Sequence, residues 1–202
     1  MKTVLHVGCG PQSIMGSEFF QDKEQWKELR LDIDPSVQPQ IVASMTDMAP
    51  IANGSMDVVF SSHNLEHLYP HEVGTALAEF RRVLKDDGYV LCLCPDLQMV
   101  ATLVADGFLE EPAYITQAGY PIAPLDILYG WRLALAQGQM HMAHHCGFTE
   151  KSLANAFLQA GFRSVAMRRQ RRLLQLAALA SVRPLSDAQV QDMLTAHIGP
   201  AQ

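Results

Sequence analysis

The stretch VLHVGCGP, residues 4–11, constrains the fold more than any other part of the chain. An apolar run of strand-forming residues passes directly into two glycines. Glycine adopts backbone conformations that other residues avoid, and it lets a ligand come close to the main chain. Nucleotide-binding α/β sheets begin with such a turn after a buried strand. Ser13 stands where the dinucleotide pattern GxGxxG has its third glycine, so a nicotinamide enzyme is disfavoured.

Beyond this turn, short apolar runs alternate with helical periodicity. A crossover helix is indicated by one apolar face made of Val73, Ala76, Leu77, Phe80 and Leu84, ended by residues 86–88. A second helix is predicted over residues 151–160, with Thr149 as its N-cap. The predicted strands are residues 3–7, 29–33, 40–43, 56–61, 89–94, 163–167 and 173–182. This alternation predicts an α/β fold in which helices cover both faces of a mostly parallel sheet.

Residues 95–147 fit the alternation poorly, because they hold scattered prolines, several aromatic residues and the sequence QMHMAHHCGF. We interpret residues 97–147 as an insertion that packs over the carboxyl edge of the sheet, where a substrate lid would lie. No linker separates two domains. The prediction is a single domain over residues 1–202 with this insertion inside it.

Composition narrows the class of protein. The 202 residues are 49% hydrophobic and 18% charged, which is typical of a globular chain. The net charge of −6 argues against a nucleic-acid binder, because neutralising phosphates requires a basic surface. No apolar segment at the N-terminus is long enough for export or membrane insertion, and the four cysteines contain no CxxC pair. We therefore expect a cytoplasmic protein with reduced thiols and no membrane partner.

A local basic patch stands apart from this overall acidity. Its five arginines are Arg163, Arg168, Arg169, Arg171 and Arg172. The interpretation preferred here is that Arg168, Arg169, Arg171 and Arg172 solvate an exposed hairpin, and the alternative is that they hold an acidic substrate.

A carboxylate follows the second predicted strand in LRLDIDPS, residues 29–36. An acid at this point of a nucleotide-binding sheet accepts hydrogen bonds from the two hydroxyls of a ribose. Asp32 lies at the required place, and Asp34 is a competing candidate that would otherwise cap the turn before Pro35. The glycine turn at a suitable distance favours ribose binding by Asp32.

Five motifs together resemble a known family: VGCGP, LDIDPS, DVVFSSHNLEHL, EFRRVLKDDGYV and FTEKSLANAFLQAGF. They resemble the class I S-adenosylmethionine-dependent methyltransferases of the small bacterial kind called type 11. The resemblance covers residues 3–96 and resumes at about 148–180. It implies a Rossmann-like, doubly wound, mostly parallel seven-stranded sheet with one antiparallel strand and a helical insertion after the fifth strand. It also implies S-adenosyl-L-methionine as the cofactor, bound at the carboxyl ends of the first four strands.

The resemblance further implies which residues bind the cofactor. The glycine turn would line the methionine part, Asp32 would hold the ribose, and Ile33 would flank the adenine. Ser44 stands where the family commonly has an Asp that contacts the adenine amino group, and His6 stands where an acid is frequent. The predicted cofactor-binding residues are His6, Gly8, Cys9, Gly10, Asp32, Ile33, Ser44, Met45, Ser62 and His63.

His63 and His67 are the predicted catalytic residues, because the loop after the fourth strand faces the cofactor in this fold. A sulfonium is already a strong electrophile, so the enzyme mainly has to align a nucleophile and exclude water. With Glu66 these histidines form an HxxEH arrangement that could ligate a divalent ion, completed by His141, His144 or His145. The interpretation preferred here is that Glu66 and His67 hydrogen-bond the loop beneath the cofactor, so no metal is predicted.

These observations predict a methyltransferase that acts on an unidentified substrate, most simply a small molecule. A non-catalytic domain that binds S-adenosylmethionine or S-adenosylhomocysteine and acts through a partner is the alternative. The sequence begins almost at the first strand, so the cofactor would be covered by residues 97–147 or by a second subunit. The second arrangement corresponds to a homodimer.

Overall fold

The computed structural model describes residues 1–17, 19–20, 22–116 and 118–199. The strands are β1 (Lys2–Val7), β2 (Trp26–Asp32), β3 (Ile41–Val42), β4 (Met56–Ser62), β5 (Leu84–Pro95), β6 (Tyr114–Ile115), β7 (Pro121–Ile122), β8 (Ser164–Gln170) and β9 (Gln175–Ser181). The α-helices are α1 (Val73–Val83), α2 (Leu97–Ala105), α3 (Pro124–Tyr129), α4 (Arg132–Ala136), α5 (Glu150–Gln159) and α6 (Asp187–Ile198).

The central sheet has seven strands in the order β3-β2-β1-β4-β5-β9-β8. Strands β1 to β5 are paired in parallel, and β9 runs antiparallel to both of its neighbours, β5 and β8. The seven-stranded sheet with one antiparallel strand is therefore confirmed. The strand order reverses between β1 and β4, and ligands of open α/β sheets bind beside the carboxyl ends of the strands at such a reversal.

Two apolar layers lie on opposite faces of the sheet. On one face α1 and α5 bury Phe80 and Phe157 against the strands. On the other face α6 contributes Val190 and Leu194, and the chain between β1 and β2 contributes Phe20. Burial of each such side chain stabilises the fold by about 1.5–3 kcal/mol. Helix α6, which was not predicted from the sequence, completes the second layer.

The described residues between β1 and β2 form turns, where a nucleotide-binding sheet usually has a helix. Their aromatic side chains hold them in place, since the ring of Phe20 lies 5.2 Å from that of Trp26 and 5.7 Å from that of Phe60. The imidazole of His197 in α6 bonds the carbonyl of Phe19 at 2.9 Å. The C-terminal helix thus covers the face that the missing helix would have covered.

Several predicted boundaries differ from the structure. Strand β2 begins at Trp26, and Ile33 lies just outside it. Helix α1 ends at Val83, and residues 86–88, which were expected to terminate it, lie inside β5. The physical reason is a register shift in which residues 85–88 bulge between the pairs Met56–Leu84 and Val58–Tyr89.

The insertion predicted after the fifth strand consists of α2, the β6–β7 ribbon, α3 and α4. Asp96 begins it and is fully buried. Its carboxylate accepts from the backbone N–H of Gln98 at 3.0 Å and lies 2.9 Å from the guanidinium Nε of Arg169 in β8. The start of the insertion is thereby fixed to the sheet. Within the described ranges, no helix is both long and apolar enough to span a bilayer.

Candidate functional site

The glycine turn after β1 requires glycine for two separate reasons. Gly8 has φ +60° and Gly10 has φ +54°, a left-handed conformation that disfavours other residues. A Cβ atom on Gly8 would also lie 1.9 Å from the Asn64 Oδ1 atom, whereas a Cβ on Gly10 would meet nothing within 4 Å. The turn is therefore left-handed at both glycines and tightly packed only at the first.

Asn64 occupies the space beneath Gly8 and was missed by the sequence analysis. Its buried side-chain amide donates to the carbonyl of Val7 at 2.9 Å and to that of Ser62 at 3.0 Å. These two carbonyls end β1 and β4, so one side chain ties the adjacent strand ends together. The signal available in the sequence was an amide residue two positions after the end of β4, the strand beside β1.

Asp32 is brought against the glycine turn, as predicted. Its Oδ2 accepts from the backbone N–H of Gly10 at 2.8 Å, and its Oδ1 accepts from that of Asp34 at 3.0 Å. Each carboxylate oxygen has a second lone pair, so Asp32 can still accept from both hydroxyls of a ribose. The Asp34 carboxylate instead caps the turn at Pro35–Val37 by accepting from the backbone N–H of Ser36 at 2.8 Å.

His6 has a structural partner in the second strand. Its Nδ1 lies 2.8 Å from Oε1 of Glu28, and both side chains are buried. Glu28 also accepts from the Ser13 hydroxyl at 2.5 Å and from the backbone N–H of Ile14 at 3.2 Å. Burial acts to raise the pKa of Glu28, but these hydrogen bonds outweigh it and the pKa is lowered. A contact between His6 and a cofactor stays a prediction.

The residues predicted around the adenine lie at the carboxyl ends of β2 and β3. Ile33 directly follows Asp32 and is 63% exposed, so its apolar surface is free to flank a ring. The Ser44 hydroxyl lies 2.7 Å from that of Thr46, and Met45 packs against the core. The backbone N–H of Ala43 donates to the carbonyl of Asp32 at 3.0 Å, which places the two strand ends side by side.

Cys9 lies between the two glycines and is buried, with its backbone N–H bonded to the carbonyl of Leu31 at 3.1 Å. Burial raises the pKa of its thiol. A contact between Cys9 and a cofactor stays a prediction.

His63 lies in a cleft directly after β4, next to Ser62. It has φ +54°, which is strained for a residue other than glycine. Its Nε2 lies 2.8 Å from Oε1 of Gln175, and its Nδ1 lies 3.3 Å from Oε1 of Glu66. Desolvation opposes the charged imidazole, but the Glu66 carboxylate outweighs it and the pKa of His63 is raised. Because 43% of its side-chain surface stays open to solvent, His63 remains accessible to a substrate.

The insertion closes over this loop. Cys146 and His145 donate their backbone N–H groups to the carbonyl of Glu66, and His67 Nδ1 lies 3.0 Å from the carbonyl of Ala143. A cavity of about 130 Å³ lies between the two parts. It is lined by His63, Glu66, His67, Pro95, Tyr114, Ile122, Asp126, Ile127, Trp131, Met142, His144, Leu173 and Leu174.

Glu66 and His67 were predicted to hydrogen-bond the loop beneath the cofactor. The His67 imidazole instead bonds the insertion, at the carbonyl of Ala143. Neither side-chain oxygen of Glu66 has a hydrogen-bond partner among the described residues, and its buried carboxylate has His63 Nδ1 3.3 Å from Oε1. The predicted side-chain hydrogen bonds to the loop are therefore not found in the described part of the chain.

The arginine patch divides into two parts. Arg168 donates to the Thr195 hydroxyl at 2.7 Å and Arg169 pairs with Asp96, so both hold structural elements in place. Arg171 and Arg172 line a groove of about 520 Å³ between the β8–β9 connection and the insertion. The acidic-substrate alternative therefore concerns only these last two residues.

Comparison with known proteins gives one family match and many structural matches. A family model described as a methyltransferase domain matches residues 5–92, a range that includes the glycine turn, Asp32 and the loop after β4. No curated protein sequence matches the chain.

Three solved structures illustrate the structural likeness. The CMeT domain of the citrinin polyketide synthase is 11% identical with a TM-score of 0.60, and the alignment covers 91% of this chain and 47% of that one. Burkholderia thailandensis 1,6-didemethyltoxoflavin-N1-methyltransferase, solved with 1,6-didemethyltoxoflavin and S-adenosylhomocysteine, is 16% identical with a TM-score of 0.56, over 89% and 70% of the chains. A SAM-dependent methyltransferase from Methanosarcina mazei is 15% identical with a TM-score of 0.57, over 91% and 93%.

This chain thus spans about half the length of the polyketide synthase structure and nearly all of the Methanosarcina mazei structure. At such identities the likeness shows the fold. Together with the family match, it confirms the resemblance on which the sequence analysis relied.

Proposed function

We propose that this chain, which has the class I methyltransferase fold and carries the methyltransferase domain over residues 5–92, transfers the methyl group of S-adenosyl-L-methionine to a small-molecule acceptor. S-adenosylmethionine is the cofactor that the family match indicates, and a structural relative was solved with S-adenosylhomocysteine. The observation that carries the proposal is the contact between the Gly10 amide and the Asp32 carboxylate at the reversal of strand order.

The fit of the cofactor follows from this contact. Asp32 is fixed by the amides of Gly10 and Asp34, so its orientation is set before any ligand binds. A carboxylate that is already oriented loses little conformational entropy when it accepts from ribose hydroxyls. The absence of a side chain on Gly10, with open space where a Cβ would lie, leaves room for the methionine part.

For this reaction the protein mainly has to align the acceptor with the methyl group and exclude water. When bound, S-adenosylmethionine supplies an electrophilic methyl group, and its loss leaves S-adenosylhomocysteine. His63 follows β4 at the same edge of the sheet, where an acceptor that displaces Gln175 from the Nε2 atom can be oriented there and can pass its proton to that nitrogen. The nearby Glu66 carboxylate makes the neutral imidazole a stronger base, because it raises the pKa of His63.

The cavity under the insertion suggests what kind of acceptor fits. Its wall is apolar and aromatic at Trp131, Ile127 and Met142. Polar groups are supplied by the imidazoles of His63 and His67. Its volume of about 130 Å³ suits part of a small molecule. Residues 97–147 act in this proposal as the lid that excludes water from the transfer.

The test is release of S-adenosylhomocysteine by the purified protein in the presence of S-adenosylmethionine and pooled metabolites. We expect release with at least one pool. His63→Ala is expected to lower the rate of release by about 100-fold, the scale of general acid–base catalysis, while the dissociation constant for S-adenosylmethionine changes little. Equal losses of binding and turnover would contradict the role of His63. Tight cofactor binding without release in any pool would support the non-catalytic alternative.

A further inference from the structure

Glu66 is the most unusual charged residue of the described chain. Only 1% of its side-chain surface reaches solvent, and neither of its carboxylate oxygens has a hydrogen-bond partner. Buried carboxylates are normally paired with a cation or hydrogen-bonded, because desolvating an unpaired charge is very unfavourable. A cation bound beside Glu66 would satisfy this buried carboxylate.

Two histidines face this carboxylate. One ligand atom from each of Glu66, His67 and His144 lies within 4.8 Å of the others. The rings of His67 and His144 lie 4.8 Å apart at 72° to each other, so they approach from different directions. Two imidazoles and one carboxylate form a recurrent ligand set for divalent transition metals.

Both imidazoles are held as metal ligands usually are. The Nδ1 atom of His67 lies 3.0 Å from the carbonyl of Ala143, and that of His144 lies 2.7 Å from the carbonyl of Ile127. A carbonyl can only accept, so each Nδ1 carries the proton and each Nε2 keeps its lone pair free. Histidines that ligate metals almost always donate their other N–H to a carbonyl or carboxylate in this manner.

The Nδ1 atom of His63 lies 3.3 Å from Oε1 of Glu66. The Oε2 atom of Glu66 has no hydrogen-bond partner among the described residues.

We propose that Glu66, His67 and His144 bind one divalent transition-metal ion, and that Zn²⁺ fits this ligand set. Three protein ligands leave a zinc ion one open position, which is typical of reactive rather than purely structural sites. All three residues line the cavity of about 130 Å³, so the open position faces the space where a bound molecule would lie. The ion would hold an oxygen or nitrogen donor of that molecule. Ion binding does not depend on the proposed methyl transfer and would stand if that proposal failed.

The site also explains why the insertion closes over the loop after β4. Glu66 and His67 belong to that loop, and His144 belongs to the end of the insertion. One ion would link the two segments. Mg²⁺ is expected to bind poorly, because it prefers oxygen ligands and this site offers two nitrogens.

The experiment is calorimetric titration of Zn²⁺ into the full chain, made without a polyhistidine tag and stripped with a chelator. The variants are His144→Gln and Glu66→Gln, and His141→Gln is the matched control, because His141 is exposed and outside the cluster. We expect one ion per wild-type chain, affinity weakened by roughly 100-fold or more in the first two variants, and a control within about threefold of wild type. Mg²⁺ should give no comparable signal.

A second measurement covers variants that fold poorly. Zn²⁺ is expected to raise the melting temperature of wild type and of His141→Gln, and not that of Glu66→Gln. The proposal is overturned if wild type takes up no stoichiometric Zn²⁺, or if Glu66→Gln and His144→Gln bind it as tightly as wild type. Loss of binding in His141→Gln alone would place the ion elsewhere and overturn it equally.

Discussion

The packing of Gly8 on Asn64 gives a quantitative test of how the glycine turn is built. In Gly8→Ala, the new Cβ would lie 1.9 Å from Asn64 Oδ1 and 2.3 Å from its Cγ, so the amide must move. A left-handed alanine costs about 1–2 kcal/mol. Moving Asn64 breaks its hydrogen bonds to Val7 and Ser62, each worth about 0.5–1.5 kcal/mol. The expected loss of unfolding free energy is therefore about 2–5 kcal/mol.

Gly10→Ala is the matched control for this substitution. Gly10 has φ +54° and open space where the Cβ would go, so only the conformational cost of about 1–2 kcal/mol applies. Urea unfolding at equilibrium, followed by circular dichroism, measures both variants on the same scale.

A double-mutant cycle isolates the steric part of the effect. In an Asn64→Ala background the clash is gone, and Gly8→Ala should cost about 1–2 kcal/mol, as Gly10→Ala does. Two results would refute the reasoning: equal losses for Gly8→Ala and Gly10→Ala in the wild-type background, or additive effects of Gly8→Ala and Asn64→Ala.

Three further predictions concern Asp32, the contact between His6 and Glu28, and the ion pair between Glu79 and Arg82 in α1. Asp32→Ala should weaken S-adenosylmethionine binding about 10–100-fold by calorimetry, because charged hydrogen bonds to the ribose are lost. Asp34→Ala removes only a turn cap and should change the affinity less than about threefold. Equal effects of the two substitutions would contradict the assignment of ribose binding to Asp32. His6→Ala should lower the unfolding free energy by about 1.5–3 kcal/mol in urea, because it removes a hydrogen-bond partner of the buried Glu28 carboxylate. A loss below about 1 kcal/mol would argue against it. The hydrogen bonds from Arg82 lower the pKa of Glu79 in the folded protein. The Glu79 carboxylate therefore stabilises the fold at pH values above its unfolded pKa of about 4.3. That contribution is lost as the pH falls through the lower pKa of the folded protein. The stability gap between wild type and Glu79→Gln should therefore narrow between about pH 5 and pH 3, and a gap independent of pH would count against the assignment.

Much of the fold could be predicted because its signals are local. Each of these signals lies within a few residues: the apolar runs, the glycine turn and the Thr149 cap. In the structure the apolar runs form strands, the glycine turn follows β1, and α5 begins after Thr149. Helix α6 was missed although its start carries a local signal, a capping box in which the side chains of Ser186 and Gln189 cap each other's backbone. The residues expected to end α1 lie in β5 because pairing with β4 overrides their turn propensity.

Residues of the site could be predicted only where a recognisable sequence motif contains them. The glycines and Asp32 come from neighbouring strand ends, and their contact follows from the parallel sheet. The roles of Asn64 and Glu28 depend on which side chains the folded strands bring together, so spacing alone does not reveal them. His144 reaches Glu66 only because the insertion folds back over the loop after β4, and no local pattern encodes that return.

The central claim is that the Gly8–Gly10 turn and Asp32 form the binding site of an adenosyl cofactor. A crystal structure of the wild-type chain soaked with S-adenosylhomocysteine tests it most directly. We expect both ribose hydroxyls within hydrogen-bond distance of the Asp32 carboxylate, and the homocysteine part against the main chain of Gly8 and Gly10. Full occupancy at any other place, or no bound ligand at millimolar concentration, would contradict the account.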